Sequence, residues 1–351
     1  MQFTKSILLA TAVIMACACE KEIATTEAPQ SAESSEIVCI DGTLHFANNN
    51  VFYQTIERLV SNANEKEYLY TFETQYGFYS LAHHVDDIYD QLELSESENQ
   101  YHQIIEHNRQ YLSIDDKTGT IYPAVDALGY AMVANIDGVY FIGNTRYKVM
   151  PTHLEVHSLD KTRSGSSNCE QLVYAQRQNI TRNSNTDIYI NRTFNTSDRK
   201  IAVQAQVFTY YTVSGQQNGV NVYDVNYKLQ FHLSGYKKSW FTGNWRNYKT
   251  LLSLNNLVFR YAIPTANGSV VHPEDYWKSS YYKYGDDASY KSSKEVKNFY
   301  VNFDLPEIYH NRKNPYMPEL LTMRFKAFCR GMGDRGLVVN HGDLCGYAPL
   351  Q

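Results

Sequence analysis

Beyond residue 22 the chain has no apolar run long enough to cross a membrane as a helix. That excludes a body built of membrane-spanning helices. Charge of one sign is scarce as well. The 32 Lys and Arg against 37 Asp and Glu leave a net charge of −5. That balance gives no electrostatic footprint for nucleic acid or for a strongly charged membrane surface. The motifs that announce chemistry are missing. There is no phosphate-binding loop, no dinucleotide fingerprint, no HExxH and no EF-hand loop. Ser166 sits in Ser-Gly-Ser-Ser and lacks the second glycine of a nucleophile elbow. No catalytic residue can be named, no cofactor is expected, and no metal is expected.

What is present is a folded composition with an unusual tyrosine content. Hydrophobic residues make up 43% and charged residues 20%, a balance that separates this chain from disordered ones. Thirty tyrosines suit half-buried strands, because the ring packs while the hydroxyl reaches a polar partner. The first twenty-two residues, MQFTKSILLATAVIMACACEKE, set the address. Lys5 supplies positive charge, residues 7–15 an apolar core, and small residues lead to Cys17 and Cys19. This is a secretory signal ending at a cysteine, and small residues directly before a cysteine mark the lipidated class. Cys19 is the expected attachment point, with residues 1–18 as signal peptide. Cys17 is the alternative, having the better aliphatic residue, Ile14, three places upstream. A cleaved signal with no lipid is the other reading. Two or more acyl chains would anchor the protein stably, where one chain gives only marginal binding.

Residues 19–38 are Ala, Thr, Ser and Glu with one Pro and no apolar period, a flexible tether. A first region, 39–160, opens on a brief strand at 44–46. Helices are expected from Val51, Phe52, Ile56, Leu59 and Val60 at helical spacing, over 64–76 with Gly77 as its stop, over 80–92 and over 97–111. The period then changes. Strands at 129–136 and 139–142 flank Asp137-Gly138, a two-residue hairpin signal, and Gly143-Asn144 turns into a strand at 145–150. Residues 161–171 form a linker. The second region, 172–351, reads as nearly all strand, at 186–194, 200–213, 220–233, 248–262, 296–303 and 320–328, with Gly215 and Gly219 bounding one turn. The expected class is α+β: a small helical N-terminal region with an antiparallel hairpin sheet, then a mostly antiparallel, sandwich-like C-terminal domain.

Two resemblances attach to these residues. The segment Cys19-Glu20-Lys21-Glu22 is similar to the surface-export signal of Bacteroidetes lipoproteins, in which a lipidated Cys precedes a Lys and then acidic residues. The match holds only if Cys19 is the first residue. Further on stand Leu44-x-Phe46, Phe52-x-x-Thr55, Leu59, Glu73 and Gly77-Phe78-x-Ser80-Leu81. Ala134-Asn135-Ile136-Asp137-Gly138, Ile142-Gly143-Asn144 and Tyr147 continue the set. Over about residues 40–150 this pattern resembles uncharacterised Bacteroidetes lipoproteins of the domain of unknown function 4848 family. Gly243-x-Trp245-x-x-Tyr248 fits less clearly, and Val38-Cys39-Ile40 is outside the pattern. The resemblance implies a surface lipoprotein of unassigned function and carries over no catalytic residue.

Several clusters invite a chemical reading and also have a plain one. His83-His84-x-Asp86-Asp87 looks metal-like, but adjacent helical side chains point about 100° apart and converge poorly on one ion. A solvated helix face is expected. His153-x-Glu155-x-His157 falls on one face of a strand, the wet one, with Leu154 and Val156 turned inward. Asp286-Asp287 follow Gly285 in an expected loop and supply too few oxygens alone for Ca²⁺. Lys237-Lys238-x-Trp240 and Trp245-Arg246-x-x-Lys249 flank a Thr242-Gly243-Asn244 turn. Trp240 and Trp245 are candidates for stacking on a sugar ring, or they cap the core of a hairpin. Cys329, His341, Asp343 and Cys345 gather in a Gly-rich tail. A Cys329–Cys345 disulfide across a loop is the expected use, with buried free thiols and a Cys-His nucleophile or metal site as the rivals.

The sequence therefore leads to a lipid-anchored outer-membrane protein facing the cell exterior. It is expected to be non-enzymatic and to bind a glycan, a host ligand or an envelope partner, with no nucleic acid. The alternatives are an extracytoplasmic hydrolase whose residues converge from distant strands, and a structural subunit of an envelope assembly.

Overall fold

The computed structural model describes residues 36–115, 119–158, 169–174, 189–218, 220–238, 245–262, 281–312 and 319–340. Cys17, Cys19, Glu20, Lys21, Glu22, Ser166, Trp240, His341, Asp343 and Cys345 lie outside them.

Strands β1 (Ile37–Ile40) and β2 (Thr43–Phe46) form a hairpin whose turn residues, Asp41 and Gly42, have φ of +49° and +72°. Such a turn needs two left-handed residues, which Asp-Gly tolerates. Helix α1 (Asn49–Ser61) starts at Asn48, whose side chain accepts from the Val51 amide at 3.1 Å. Its buried stripe is Val51, Phe52, Thr55, Ile56, Leu59 and Val60. Helix α2 (Lys66–Tyr76) ends at Gly77, left-handed at φ +63°. Helices α3 (Leu81–Leu94) and α4 (Glu98–His107) are capped by the Ser80 and Ser97 hydroxyls. A short ribbon follows, β3 (Leu112–Asp115) with β4 (Thr120–Pro123).

The next element departs from expectation. Residues 128–133 are helix α5 (Leu128–Val133), not a strand, and every one of them is buried. A short apolar run does not distinguish a buried helix turn from a buried strand. Asp137-Gly138 therefore turns from α5 into β5 (Val139–Ile142) and does not close a hairpin. Asn135 organises that turn by accepting from the amides of Asp137 and Val139 at 3.1 and 2.9 Å. The hairpin is one turn later, where Gly143 links β5 to β6 (Thr145–Val149). Strands β7 (His153–Ser158) and β8 (Cys169–Val173) complete a sheet of order β1-β2-β5-β6-β7-β8, antiparallel except at β2/β5. Strand thus begins at Ile37 and at Cys169, inside the stretches read as tether and linker.

Among its described residues the C-terminal region holds strands and connecting turns and no helix, so the α+β class with a β-rich second part holds. Its elements are β9 (Tyr189–Asn195), β10 (Arg199–Gln217), β11 (Val220–Lys238), β12 (Trp245–Asn247) and β13 (Leu252–Ala262). They are followed by β14 (Tyr281–Lys291), β15 (Asn298–Arg312), β16 (Glu319–Cys329) and β17 (Gly333–Asn340). One sheet runs β12-β11-β10-β9 with β15 on β11, and the other β14-β13-β16-β17. Phe231 and Phe303 of the first meet Phe259 and Phe325 of the second, an apolar contact compatible with a sandwich.

Two corrections fall here. Asp286-Asp287, expected in a loop, are part of β14. The Gly-rich segment after Cys329 is not a loop but strand β17, paired with β16. Cys329 faces Gly333 and Asn340 faces Thr322, so the chain reaches Asn340 about 23 Å along the sheet from Cys329. Cys329 is buried, with its Sγ 3.7 Å from the Thr250 hydroxyl, and the expected bridge to Cys345 lies outside the described residues.

The outer face of the β10/β11/β15 sheet is polar yet buried. Lys200, Gln204, Gln206, Lys228, Gln230, His232 and Ser234 are each at most 5% exposed. The N-terminal region lies on this face and supplies several of its hydrogen bonds, while Lys228, His232 and Ser234 find partners on their own sheet and the Gln206 amide has none among the described residues. Gln230 donates to the Asp126 carbonyl at 2.8 Å, and the Tyr130 hydroxyl links the Thr209 carbonyl to the Tyr211 amide. The Tyr236 hydroxyl donates to the Ile121 carbonyl at 2.9 Å. The apolar core accordingly runs unbroken from Ile37 to Met332.

Candidate functional site

The inner face of the N-terminal sheet is closed by Leu44, Phe46, Tyr140, Tyr147, Leu154 and Val156, none more than 1% exposed. Its outer face is open. Strand register lines up Val38, His45, Phe141, Arg146, His157 and Cys169 straight across all six strands. His45 stacks on Phe141 with ring centres 4.3 Å apart, and partial burial there pushes the imidazole pKa down. Val38 and Ile40 stand 45% and 51% exposed at the edge, so the face is partly apolar.

At one end this face runs into a cleft of about 460 Å³. Arg146 and Lys148 line it together with Gln110, Tyr111, Asp137 and the apolar Leu81, Val85, Ile136, Met150 and Pro151. Strand alternation puts both cations on the outer face, because Tyr147 between them points to the core. Each is half-buried, and neither has an ion-pair partner among the described residues. Two cations, an amide, a phenol and an apolar wall, with the single carboxylate of Asp137, leave the cleft net positive and able to hold a ligand with an anionic group and a hydrophobic face. Sequence reading passed over this pair. The available signal was the polar-apolar alternation of Thr145–Val149, which does not reveal that Gln110 and Ile136 come to meet it.

The residues singled out by sequence divide as follows. His83 and His84 diverge, as their spacing requires. His83 Nδ1 lies 2.5 Å from Glu73 and its ring stacks on Tyr70, whereas His84 meets Tyr79 and Tyr111. Asp86 pairs with Lys66 at 3.0 Å, and Asp87 accepts from the Tyr79 hydroxyl at 2.6 Å. The expected solvated face is thus a tied joint between α2 and α3. Buried Glu73 also accepts from the Ser80 amide, which gives it a structural task. His153, Glu155 and His157 do face outward while Leu154 and Val156 are fully buried. Strand β8 adds Cys169 opposite His157, with Sγ 3.4 Å from Nε2. Shielding from water, and then Glu155, push the Cys169 thiol pKa up, while Arg146 opposes them.

Trp245 is not an open platform. It packs partly buried against Tyr122, Ala202 and Tyr236, with the Lys200 ammonium 5.3 Å from its ring. Lys200 sits 4.3 Å from the Tyr236 ring and donates to Thr120 at 3.1 Å, and burial lowers its pKa to about 8. Arg246 crosses to the Ser95 carbonyl at 2.9 Å, and Lys249 lies 3.5 Å from Glu93. These cations tie the two regions together.

No family model matches the chain, and no curated protein matches it. A crystal structure of a DUF4848 family protein from Bacteroides thetaiotaomicron is weakly similar. Identity is 15% and the TM-score 0.29, over 87% of this chain and all of that one. A likeness of that size carries no argument about fold or function.

Proposed function

We propose that this chain is a non-catalytic binding protein, held at the outer membrane by a lipid on Cys19 and facing the cell exterior. Its ligand is an anionic glycan, taken at the cleft beside Arg146 and Lys148. The observation that carries this reading is the pair of half-buried cations with no carboxylate partner among the described residues, set against an apolar wall. A sugar acid presents both a carboxylate for the cations and a ring face for Ile136 and Met150. Each lost charge-assisted contact costs about tenfold or more in affinity. The sequence motifs over residues 40–150 support a distant relation to the domain of unknown function 4848 family.

Binding of an oligogalacturonate and of a neutral oligosaccharide of equal length to the full chain tests the ligand class. The acidic sugar is expected to bind, and Arg146→Ala or Lys148→Ala to weaken it about tenfold or more. Equal binding of both sugars, or variants that bind like the parent, rejects the reading. The anchor is tested in cells with a fatty-acid probe. Cys19→Ala is expected to abolish labelling, while alanines at Glu20, Lys21 and Glu22 keep the label and reduce surface exposure. Label that persists in Cys19→Ala and vanishes in Cys17→Ala moves the lipid to Cys17.

A further inference from the structure

The outer face of β7 and β8 carries a second cluster, distinct in chemistry from the cleft. Glu155, His157 and Cys169 bring one carboxylate oxygen, one imidazole nitrogen and one sulfur within 4.8 Å of one another. The Cys169 Sγ to His157 Nε2 distance is 3.4 Å, and His157 Nε2 lies 3.9 Å from Glu155 Oε2. Tetrahedral zinc with sulfur, nitrogen and oxygen ligands has ligand-to-ligand edges of roughly 3.3–3.8 Å, from its bond lengths. The cluster is therefore close to the size of a zinc coordination shell before any ion is added. Closing the widest gap takes rotation of outward-facing side chains and no movement of the strands.

We infer that Glu155, His157 and Cys169 form a binding site for one divalent cation of the zinc class, with His153 as the residue that positions Glu155. The strands fix the three ligands independently. Alternation puts Glu155 and His157 on one face, and register sets Cys169 opposite His157. A thiolate, an imidazole and a carboxylate together favour zinc over magnesium or calcium, which prefer all-oxygen shells. His153 supplies the outer support such sites use. Its Nε2 is shut off from water, makes no hydrogen bond, and lies 3.9 Å from Glu155 Oε1, the oxygen not turned to His157. Three protein ligands leave one coordination position for water or an exogenous ligand. The cysteine escaped notice in the sequence because it falls in a stretch read as linker.

Cobalt(II) reports thiolate ligation directly through a sulfur-to-metal charge-transfer band. Titrating the full chain in detergent with cobalt is expected to give that band at one metal per chain, and zinc to bleach it. Cys169→Ser should abolish the band, while Cys39→Ser and Cys329→Ser keep it. His157→Ala and Glu155→Gln should weaken cobalt binding about tenfold or more. His153→Ala should weaken binding without shifting the band, which separates a positioning residue from a ligand. These side chains face outward, so unchanged far-UV circular dichroism of each variant is expected. Absence of the band in the parent chain, or a band that survives Cys169→Ser, overturns the site.

Discussion

Acidification from pH 6.5 to about 4 lowers the folding stability of the chain by about 3 kcal/mol through one residue, and His232→Gln removes that loss. His232 is 2% exposed in the polar layer between the two regions. Its ring stacks on Tyr300 at 4.5 Å and meets Tyr122 edge-on. Gln204, Ser234 and Asn298 surround its nitrogens at 3.3, 3.0 and 3.2 Å, and none of them carries charge. Burial without a counter-ion disfavours the imidazolium, so the folded-state pKa falls from 6.5 to about 4; the Asn298 hydrogen bond acts weakly the other way. The unfolded chain takes up the proton near 6.5 and the folded chain only near 4. Between those values the unfolded state binds more protons, so stability falls as pH falls. The contribution is complete above 6.5 and gone below about 4. Urea midpoints of the parent and His232→Gln across that window measure it. The variant's own cost shifts its curve by a constant and leaves the slope difference intact. Parallel curves for the two proteins would refute the assignment.

The same layer shows what the sequence carried and what it hid. Local signals were legible because they act within a few residues. Asn48, Gly77 and Ser80 begin or end their helices as their chemistry dictates. The long alternating runs of β10 and β11 were legible as strands, and their odd-numbered residues do enter the apolar core. The even-numbered set, Lys200, Gln204, Lys228, Gln230 and His232, reads as a wet face. It is dry because another region of the same chain lies on it. Alternation reports which side chains share a face, never what covers that face. Helix α5 failed for a related reason: residues buried on all sides have no amphipathic period to read. Strand β17 failed because its glycines were taken as loop punctuation, whereas pairing with β16 supplies the hydrogen bonds that order them.

The residues that carry the family resemblance turn out to be joints. Glu73 and Ser80 bind each other at the α2–α3 corner, and the Leu81 amide donates to the Ala134 carbonyl at 2.8 Å. Asn135 holds the turn into β5 and donates to the Thr43 hydroxyl at 3.0 Å. At Gly138, φ is +78° and a side chain would meet the Val149 carbonyl at 2.6 Å. Such positions fix a framework and are silent about what it binds. The cations of the cleft, Arg146 and Lys148, and the β7–β8 cluster lie outside that pattern, although Leu81, Ile136 and Asp137 of the pattern line the cleft wall, and only the assembled sheet brings them together.

Gly129→Ala is expected to destabilise the whole chain by about 1–3 kcal/mol, although alanine is the better helix former by about 1 kcal/mol. Gly129 lies in α5, where the helix presses on β10. A methyl group there would come 2.8 Å from the Ile56 side chain and 2.8 Å from the Tyr210 hydroxyl. Neither neighbour can swing aside freely. Ile56 is 1% exposed in α1, and the Tyr210 ring packs 4.6 Å from Tyr130. The Tyr210 hydroxyl also accepts from the Gly129 amide at 3.2 Å, so pushing it away strands a buried donor. Overpacking and the lost hydrogen bond together outweigh the helix-propensity gain. In a Tyr210→Phe background the hydroxyl is already absent, and the same Gly129→Ala change should cost less; that difference is the coupling between the two sites. Because α5 belongs to the N-terminal region and Tyr210 to the C-terminal one, the loss should appear as a single shifted transition by both far-UV circular dichroism and tyrosine fluorescence. A Gly129→Ala protein as stable as the parent would show that α5 can move off β10 freely. Two separated transitions would show that the polar layer does not bind the regions into one cooperative unit.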